Sequence, residues 1–141
     1  MATALAPHLG FRGTAREAMA FYQGVFGGRL TVATFAEFRA STDPAEDDLV
    51  MHAELFGANG IHLMAADAPA RVELPTGSAI TLSLAGEDEA ELRAAFERLA
   101  EGGTVAMPLA PSAWGAVFGM CTDRFGVGWM VNIAAPGAAG A

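Results

Sequence analysis

The apolar residues of this chain recur at a helical period in two short stretches and alternate at a strand period almost everywhere else. Ala18, Met19, Phe21, Tyr22, Val25 and Phe26 fall three to four residues apart, the spacing of one helix face. Thr14-Ala15-Arg16-Glu17 ahead of them has the form of a capping box, and Gly27-Gly28 behind them supplies a left-handed cap. Residues 29–38 then read as a strand, and the acidic, proline-containing segment 40–48 as a solvated connection. Residues 49–56 and 61–66 read as two strands around Gly57-Ala58-Asn59-Gly60, a hairpin signal.

The same order then returns. Residues 78–84 read as a strand, and Asp88-Glu89-Ala90-Glu91 opens a helix carrying Leu92, Ala95, Phe96 and Leu99 that stops at Gly102-Gly103. Residues 104–109 read as a strand and 110–115 as a loop, and 117–122 with 127–133 form a second hairpin around Phe125-Gly126. Phe21 precedes Gly27-Gly28 by the same interval that separates Phe96 from Gly102-Gly103, and this offset lays His8-Leu9 over Ser83-Leu84. In the hairpins Gly60 matches Gly126, which lays Met64 over Met130 and Leu63 over Trp129. An internal repeat of this kind decides the fold class. The expected architecture is α+β: two tandem βαβββ modules forming an open, cup-shaped mixed sheet with the helices on its outer face. The modules span residues 1–68 and 79–134, with a linker at 69–78 and a flexible tail at 135–141. Ile61, Leu63, Val127, Trp129 and Val131 should face the helices; His62, Met64, Ala66, Met130 and Asn132 should line the cup.

Composition narrows the function. The 141 residues include 52% hydrophobic and 17% charged positions, with a formal net charge of −8. That acidity disfavours nucleic acid and anionic membrane surfaces as partners. No apolar run reaches the ~20 residues of a membrane span, and the opening residues lack the basic and long apolar regions of a signal peptide, so a cytoplasmic location is expected. A single cysteine, Cys121, excludes CxxC redox and metal motifs, and a small strand residue is its plainer reading than a nucleophile. Three histidines, one tyrosine and no lysine leave few catalytic candidates.

Several strings carry a family resemblance. They are Gly13-Thr14-Ala15-Arg16-Glu17-Ala18 leading to Phe21-Tyr22 and Val25-Phe26-Gly27-Gly28, then Met51-His52-Ala53-Glu54-Leu55. Leu99-Ala100-Glu101-Gly102-Gly103 through Met107-Pro108-Leu109 follows, and then Trp114-Gly115, Phe118-Gly119-Met120, Thr122-Asp123, Phe125-Gly126 and Trp129-Met130-Val131-Asn132. Together they resemble the vicinal oxygen chelate superfamily, which includes glyoxalase I, extradiol dioxygenases and bleomycin-resistance proteins, and within it the PhnB-like branch. The resemblance implies a paired βαβββ cup, a homodimer, and a small-molecule site inside the cup. In enzymatic members it further implies a divalent metal held by four side chains, one from the first and one from the last strand of each half, commonly His and Glu. A ubiquinone-methyltransferase role attached to some of the branch is set aside, because no glycine-rich strand-to-helix loop is present to cradle S-adenosylmethionine.

Carried onto this chain through the repeat, the four ligand positions are His8, Met64, Ser83 (Thr81 if the strand slips by two) and Met130. Thioethers suit soft ions, so the usual divalent site is not expected. A rearranged site is open: a three-residue hairpin loop with Gly60 left-handed would set Glu54 opposite Met64 and Phe56 opposite His62. His8, Glu54 and His62, with His52 on the same face, could then hold Zn, Ni, Mn or Fe. Each has a bland alternative: His8 a hydrogen-bonded polar residue, His52 and Glu54 a cross-strand pair, His62 a rim residue. Trp114 is read as a pocket wall or an interface plug, Asn132 as a polar ligand contact, and Met64 and Met130, with Met51 a further candidate, as soft lining. Asp123 reads as a turn residue and Trp129 as core, while Arg12 and Arg16 either meet an anion or stay solvated. The expected function is binding of a small, largely apolar metabolite without the four-ligand metal; the alternative is a metal-dependent lyase, isomerase or dioxygenase.

Overall fold

A computed structural model describes residues 3, 5–39, 41–74 and 79–135. The chain divides into two compact units, Met1–Thr76 and Gly77–Ala141. Residues 136–141 of the expected tail (135–141) and the segment 75–78, where the linker would end and the next strand begin, lie outside the described residues.

In the first unit β1 (His8–Phe11) leads into α1 (Ala15–Phe26), followed by β2 (Arg29–Thr34), the one-turn helix α2 (Phe35–Phe38), β3 (Val50–Phe56) and β4 (His62–Asp67). The strands form one sheet in the order β1-β4-β3-β2, with β1 parallel to β4 and the other pairs antiparallel. In the second unit β5 (Leu82–Gly86) leads into α3 (Glu89–Ala100), then β6 (Thr104–Pro111), β7 (Val117–Thr122) and β8 (Gly128–Ile133). Its sheet runs β5-β8-β7-β6 with the same mixture of directions. The α+β class and the βαβββ order read from the sequence are both present.

Each helix sits on its sheet through a narrow stripe. On α1 this is Ala15, Ala18, Met19 and Tyr22, all fully buried, at the i, i+3, i+4, i+7 spacing that keeps side chains on one face. Burying side chains the size of Met19 and Tyr22 stabilises the unit by about 1.5–3 kcal/mol each. On α3 the stripe is Ala95, Phe96 and Leu99. Ala53, Leu55, Leu63 and Ala65 meet the first helix, and Cys121, Trp129 and Val131 lie on the equivalent face of the second sheet.

Four local expectations are corrected. Thr14 makes no side-chain cap; instead Asp67, 52 residues away, accepts from the Ala15 N–H at 3.0 Å and from that of Gly13 at 2.8 Å. A full carboxylate charge at a helix N-terminus is a stronger acceptor than a hydroxyl. The strand expected over 29–38 stops at Thr34, where the register shifts and the Thr34 hydroxyl accepts from the Glu37 N–H, turning the chain into α2. The segment 110–115 is not all loop, since β6 runs to Pro111. In the second module the first strand starts at Leu82 and continues to Gly86, later than the reading of 78–84.

Candidate functional site

The face of each sheet turned away from its helix carries the candidate residues, and strand register orders them into rows. Phe56 pairs with His62 and Glu54 with Met64, so the loop Ala58-Asn59-Gly60 has the length and left-handed Gly60 (φ 76°) expected from the sequence. The first sheet's central row is His8–Met64–Glu54–Thr31, read across β1, β4, β3 and β2. The neighbouring row is His62–Phe56–Arg29. In the second sheet the central row is Ser83–Met130–Met120–Met107, and the next is Ala85–Asn132–Phe118–Ala110. Ser83, not Thr81, is the partner of Met130.

The two faces differ in chemistry. On the first, His62 Nε2 lies 2.7 Å from Glu54 Oε2, and His52 Nε2 stands off at 3.9 Å from Oε1. Side-chain exposure is 23% for His62, 27% for Glu54 and 42% for His52. The His62 ring stacks on Phe56 with centroids 4.4 Å apart and an 18° interplanar angle, and the Arg29 guanidinium lies 5.5 Å over the Phe56 ring. His8 is exposed on the edge strand, separated from Glu54 by the strand that carries Met64. The structure therefore brings Glu54 and His62 together and leaves His8 apart. Among the described residues no three His, Cys, Asp or Glu side chains are grouped as they would be around an ion.

On the second face three methionines stand side by side on neighbouring strands, and cross-strand partners of this kind hold their Cβ atoms about 5 Å apart. Trp114, 64% exposed, donates its indole N–H to Asn132 Oδ1 at 3.0 Å and sits edge-on against Phe118 at 5.3 Å. Trp114 and Asn132, read from the sequence as a pocket wall or interface plug and a polar ligand contact, thus form one structure beside the methionine row. Met51 is half-buried and falls at the register shift opposite Ala33 and Thr34, where it pairs with neither, so strand alternation does not set it beside Met64.

The remaining candidates have structural duties. Arg12 is tied to the carbonyls of Ala68, Pro69 and Val72 at 3.3, 2.9 and 2.5 Å, which occupies the guanidinium that could have met an anion. Asp123 accepts from the Phe125 and Val127 N–H groups, as a turn residue should, and also from the buried Trp129 indole at 2.9 Å. Cys121 is buried on the helix side. Burial first, and the Asp123 charge second, push its thiol above the ordinary value, which depletes the reactive thiolate. Iodoacetamide at about pH 8 should leave the folded protein unlabelled and alkylate Cys121 readily in urea; fast labelling of the folded chain would contradict this.

Sequence reasoning passed over Thr31, Phe56, Arg29, Phe118, Met120 and Met107 as site residues. Hairpin parity could have found Met120, since the register that faces Met130 to its neighbour follows from the Phe125-Gly126 turn. Met107 was hidden by register shifts on both sides of it in β6.

Comparison with known proteins agrees with this architecture. The family model described as Glyoxalase/Bleomycin resistance protein/Dioxygenase superfamily matches residues 7–131. Protein YjdN of Escherichia coli (strain K12) is 33% identical over 144 residues, covering 92% of this chain and 94% of its own. The crystal structure of protein PA1353 from Pseudomonas aeruginosa is 40% identical, with a TM-score of 0.80 over 95% of this chain and 99% of that one. A PhnB protein from Bacillus cereus, described as a putative 3-demethylubiquinone-9 3-methyltransferase, is 27% identical, with a TM-score of 0.76 over 94% and 100%.

Proposed function

The chain belongs to the glyoxalase/bleomycin resistance protein/dioxygenase superfamily, and from that premise we propose that it binds a small, largely apolar metabolite without the superfamily's four-ligand metal. The observation that carries this reading is the row Met107–Met120–Met130 with Trp114 clasped to Asn132 beside it. Thioethers are polarisable and rotate freely, so they mould to a flat apolar ligand, while the Trp114 indole offers an aromatic wall and Asn132 a polar handle. The donor set supports the absence of the usual metal: His8 is beside Met64 and Ser83 beside Met130, and neither thioether suits a hard divalent ion.

The methyltransferase name of the Bacillus cereus relative is not carried over. The turn from β1 to α1 runs Phe11-Arg12-Gly13-Thr14, without a glycine-rich loop, and its Gly13 and Ala15 N–H groups are held by Asp67 rather than open to a cofactor. A homodimer is part of the reading, as is common in the superfamily, and gel filtration with light scattering checks it. No helix among the described residues is long and apolar enough to cross a membrane.

The binding test uses 2-naphthol, a neutral planar probe. It should raise the melting temperature and quench the tryptophan fluorescence, with Trp114→Phe abolishing most of the quench and leaving the signal of buried Trp129. Met120→Ser should weaken binding about tenfold, equivalent to ~1.4 kcal/mol. No thermal shift and no quench up to millimolar probe would reject the reading. Stoichiometric Zn, Ni, Mn or Fe in untagged protein, with probe binding abolished by chelation, would favour the rearranged His8, Glu54 and His62 site instead.

A further inference from the structure

We infer that His62, oriented by Glu54, is a general base able to remove a proton from a carbon acid that carries a planar apolar ring. This goes beyond the binding reading and uses the other module. Ionised Glu54 can only accept a hydrogen bond, so the contact at 2.7 Å fixes the proton of the neutral imidazole on Nε2 and leaves the lone pair on Nδ1. Nδ1 has no protein partner among the described residues, and the side chain keeps 23% of its exposure, so a substrate can reach it. Phe56 stacks on the ring and fixes its plane, while the Arg29 guanidinium over Phe56 adds a cation–π contact. Phe56 itself is 41% exposed, so with His62 stacked on its ring and Arg29 over it, apolar edge remains beside the base.

The repeat shows that the fold does not need this pair. By strand register Met120 stands in the second sheet where Glu54 stands in the first, and Gly128 where His62 stands. The same sheet forms in the second module without a carboxylate or an imidazole at either position. Among the three histidines of the chain, His8 and His52 lack a short carboxylate contact. His62 is the catalytic residue and Glu54 a positioning residue that also steadies the imidazolium once it forms.

The probe is 5-nitrobenzisoxazole. His62 Nδ1 takes the proton from C3, and the C–H electron pair becomes the third bond of a nitrile. The ring N–O bond breaks, and its pair leaves on oxygen as 2-cyano-4-nitrophenolate, followed by its absorbance. The imidazolium then returns its proton to water. The protein should exceed an equal concentration of free imidazole by about tenfold or more, and His62→Gln should remove that excess. Glu54→Gln should lower the rate less, and nitrogen-15 spectra should show His62 moving from a single Nε2–H tautomer to a mixture. Circular dichroism and the melting temperature establish that both variants fold. EDTA should leave the rate unchanged. A rate no greater than free imidazole, full activity in His62→Gln, an equal loss in His8→Gln or His52→Gln, or loss of the rate with EDTA would each overturn the inference.

Discussion

Asp67→Ala is expected to lower the unfolding free energy by about 3–5 kcal/mol, although Asp67 lies in neither candidate row. One carboxylate oxygen takes the N–H groups of Gly13 and Ala15 at the start of α1, and the other takes that of Val50 at the start of β3, at 3.0 Å. Asp67 is 4% exposed, so water cannot replace what the substitution removes. Leaving a buried N–H without an acceptor costs about 1–3 kcal/mol each, and the charge at the helix N-terminus is lost as well. Asp67→Asn keeps the volume and one acceptor oxygen but turns an NH2 towards a donor, so about half of the cost should remain. Urea titration with an unchanged m-value measures the loss, and amide exchange should speed first in α1 and β3. A loss below about 1 kcal/mol for Asp67→Ala would show that these amides are satisfied another way.

The same residue shows where sequence reading stops. The helix itself is legible, because the period of Ala15, Ala18, Met19 and Tyr22 is a local property of the chain. Its cap is not, because the acceptor comes from β4, 54 residues beyond Gly13, while a plausible local cap stands at Thr14. Side-chain parity in the hairpins is legible for the same local reason. The length and glycine of the turn determine that Glu54 opposes Met64 and that Phe56 opposes His62. Bulges break this logic. The shifts around Met107 and at Ala33/Thr34 add or drop a residue without a compositional mark, so Met107 and the end of β2 escape a period-two reading.

Register also makes the divergence of the two modules visible. Position for position, His8, Met64, Glu54 and Thr31 of the first sheet correspond to Ser83, Met130, Met120 and Met107 of the second. Only the methionine of the last strand is common to both rows. Hydroxyl, imidazole and carboxylate groups prevail in the first row and thioethers in the second, so the two faces suit groups of different chemistry. The helix-side faces, by contrast, keep their apolar character at Leu63 and Ala65, which correspond to Trp129 and Val131, all buried; the exception is Asp67, which stands where Ile133 does and caps α1. Packing constrains that side of each sheet, and chemistry is free to change on the other.

The repeat predicts its own weakest points. Gly28 and Gly103 both stand immediately before the strand that follows a helix, and both lie against the backbone at the end of the neighbouring strand. A Cβ on Gly28 would drive into the Phe56 carbonyl oxygen and come within 2.6 Å of Gly57 Cα and 2.8 Å of Phe56 C. A Cβ on Gly103 would drive into the Thr122 carbonyl oxygen and come within 2.9 Å of Asp123. Backbone cannot rotate away as a side chain can, so the strand must shift. Gly28 also has φ 93°, which adds left-handed strain of about 1–2 kcal/mol for an alanine. Gly27→Ala is the reference: its φ is 68°, but nothing lies within 4 Å of the added carbon. The expected order of destabilisation is Gly27→Ala at about 1–2 kcal/mol, Gly103→Ala at about 2–3, and Gly28→Ala at about 3–4. Urea titration of the three variants tests it, and a Gly103→Ala no worse than Gly27→Ala would show that β7 yields freely. Gly28→Ala carries a second expectation. The strand end it displaces bears Phe56, on which His62 stacks, so base activity should fall by more than the unfolded fraction explains. Gly103→Ala displaces Thr122, in the module that carries neither Glu54 nor His62, and should lose activity only in step with folding.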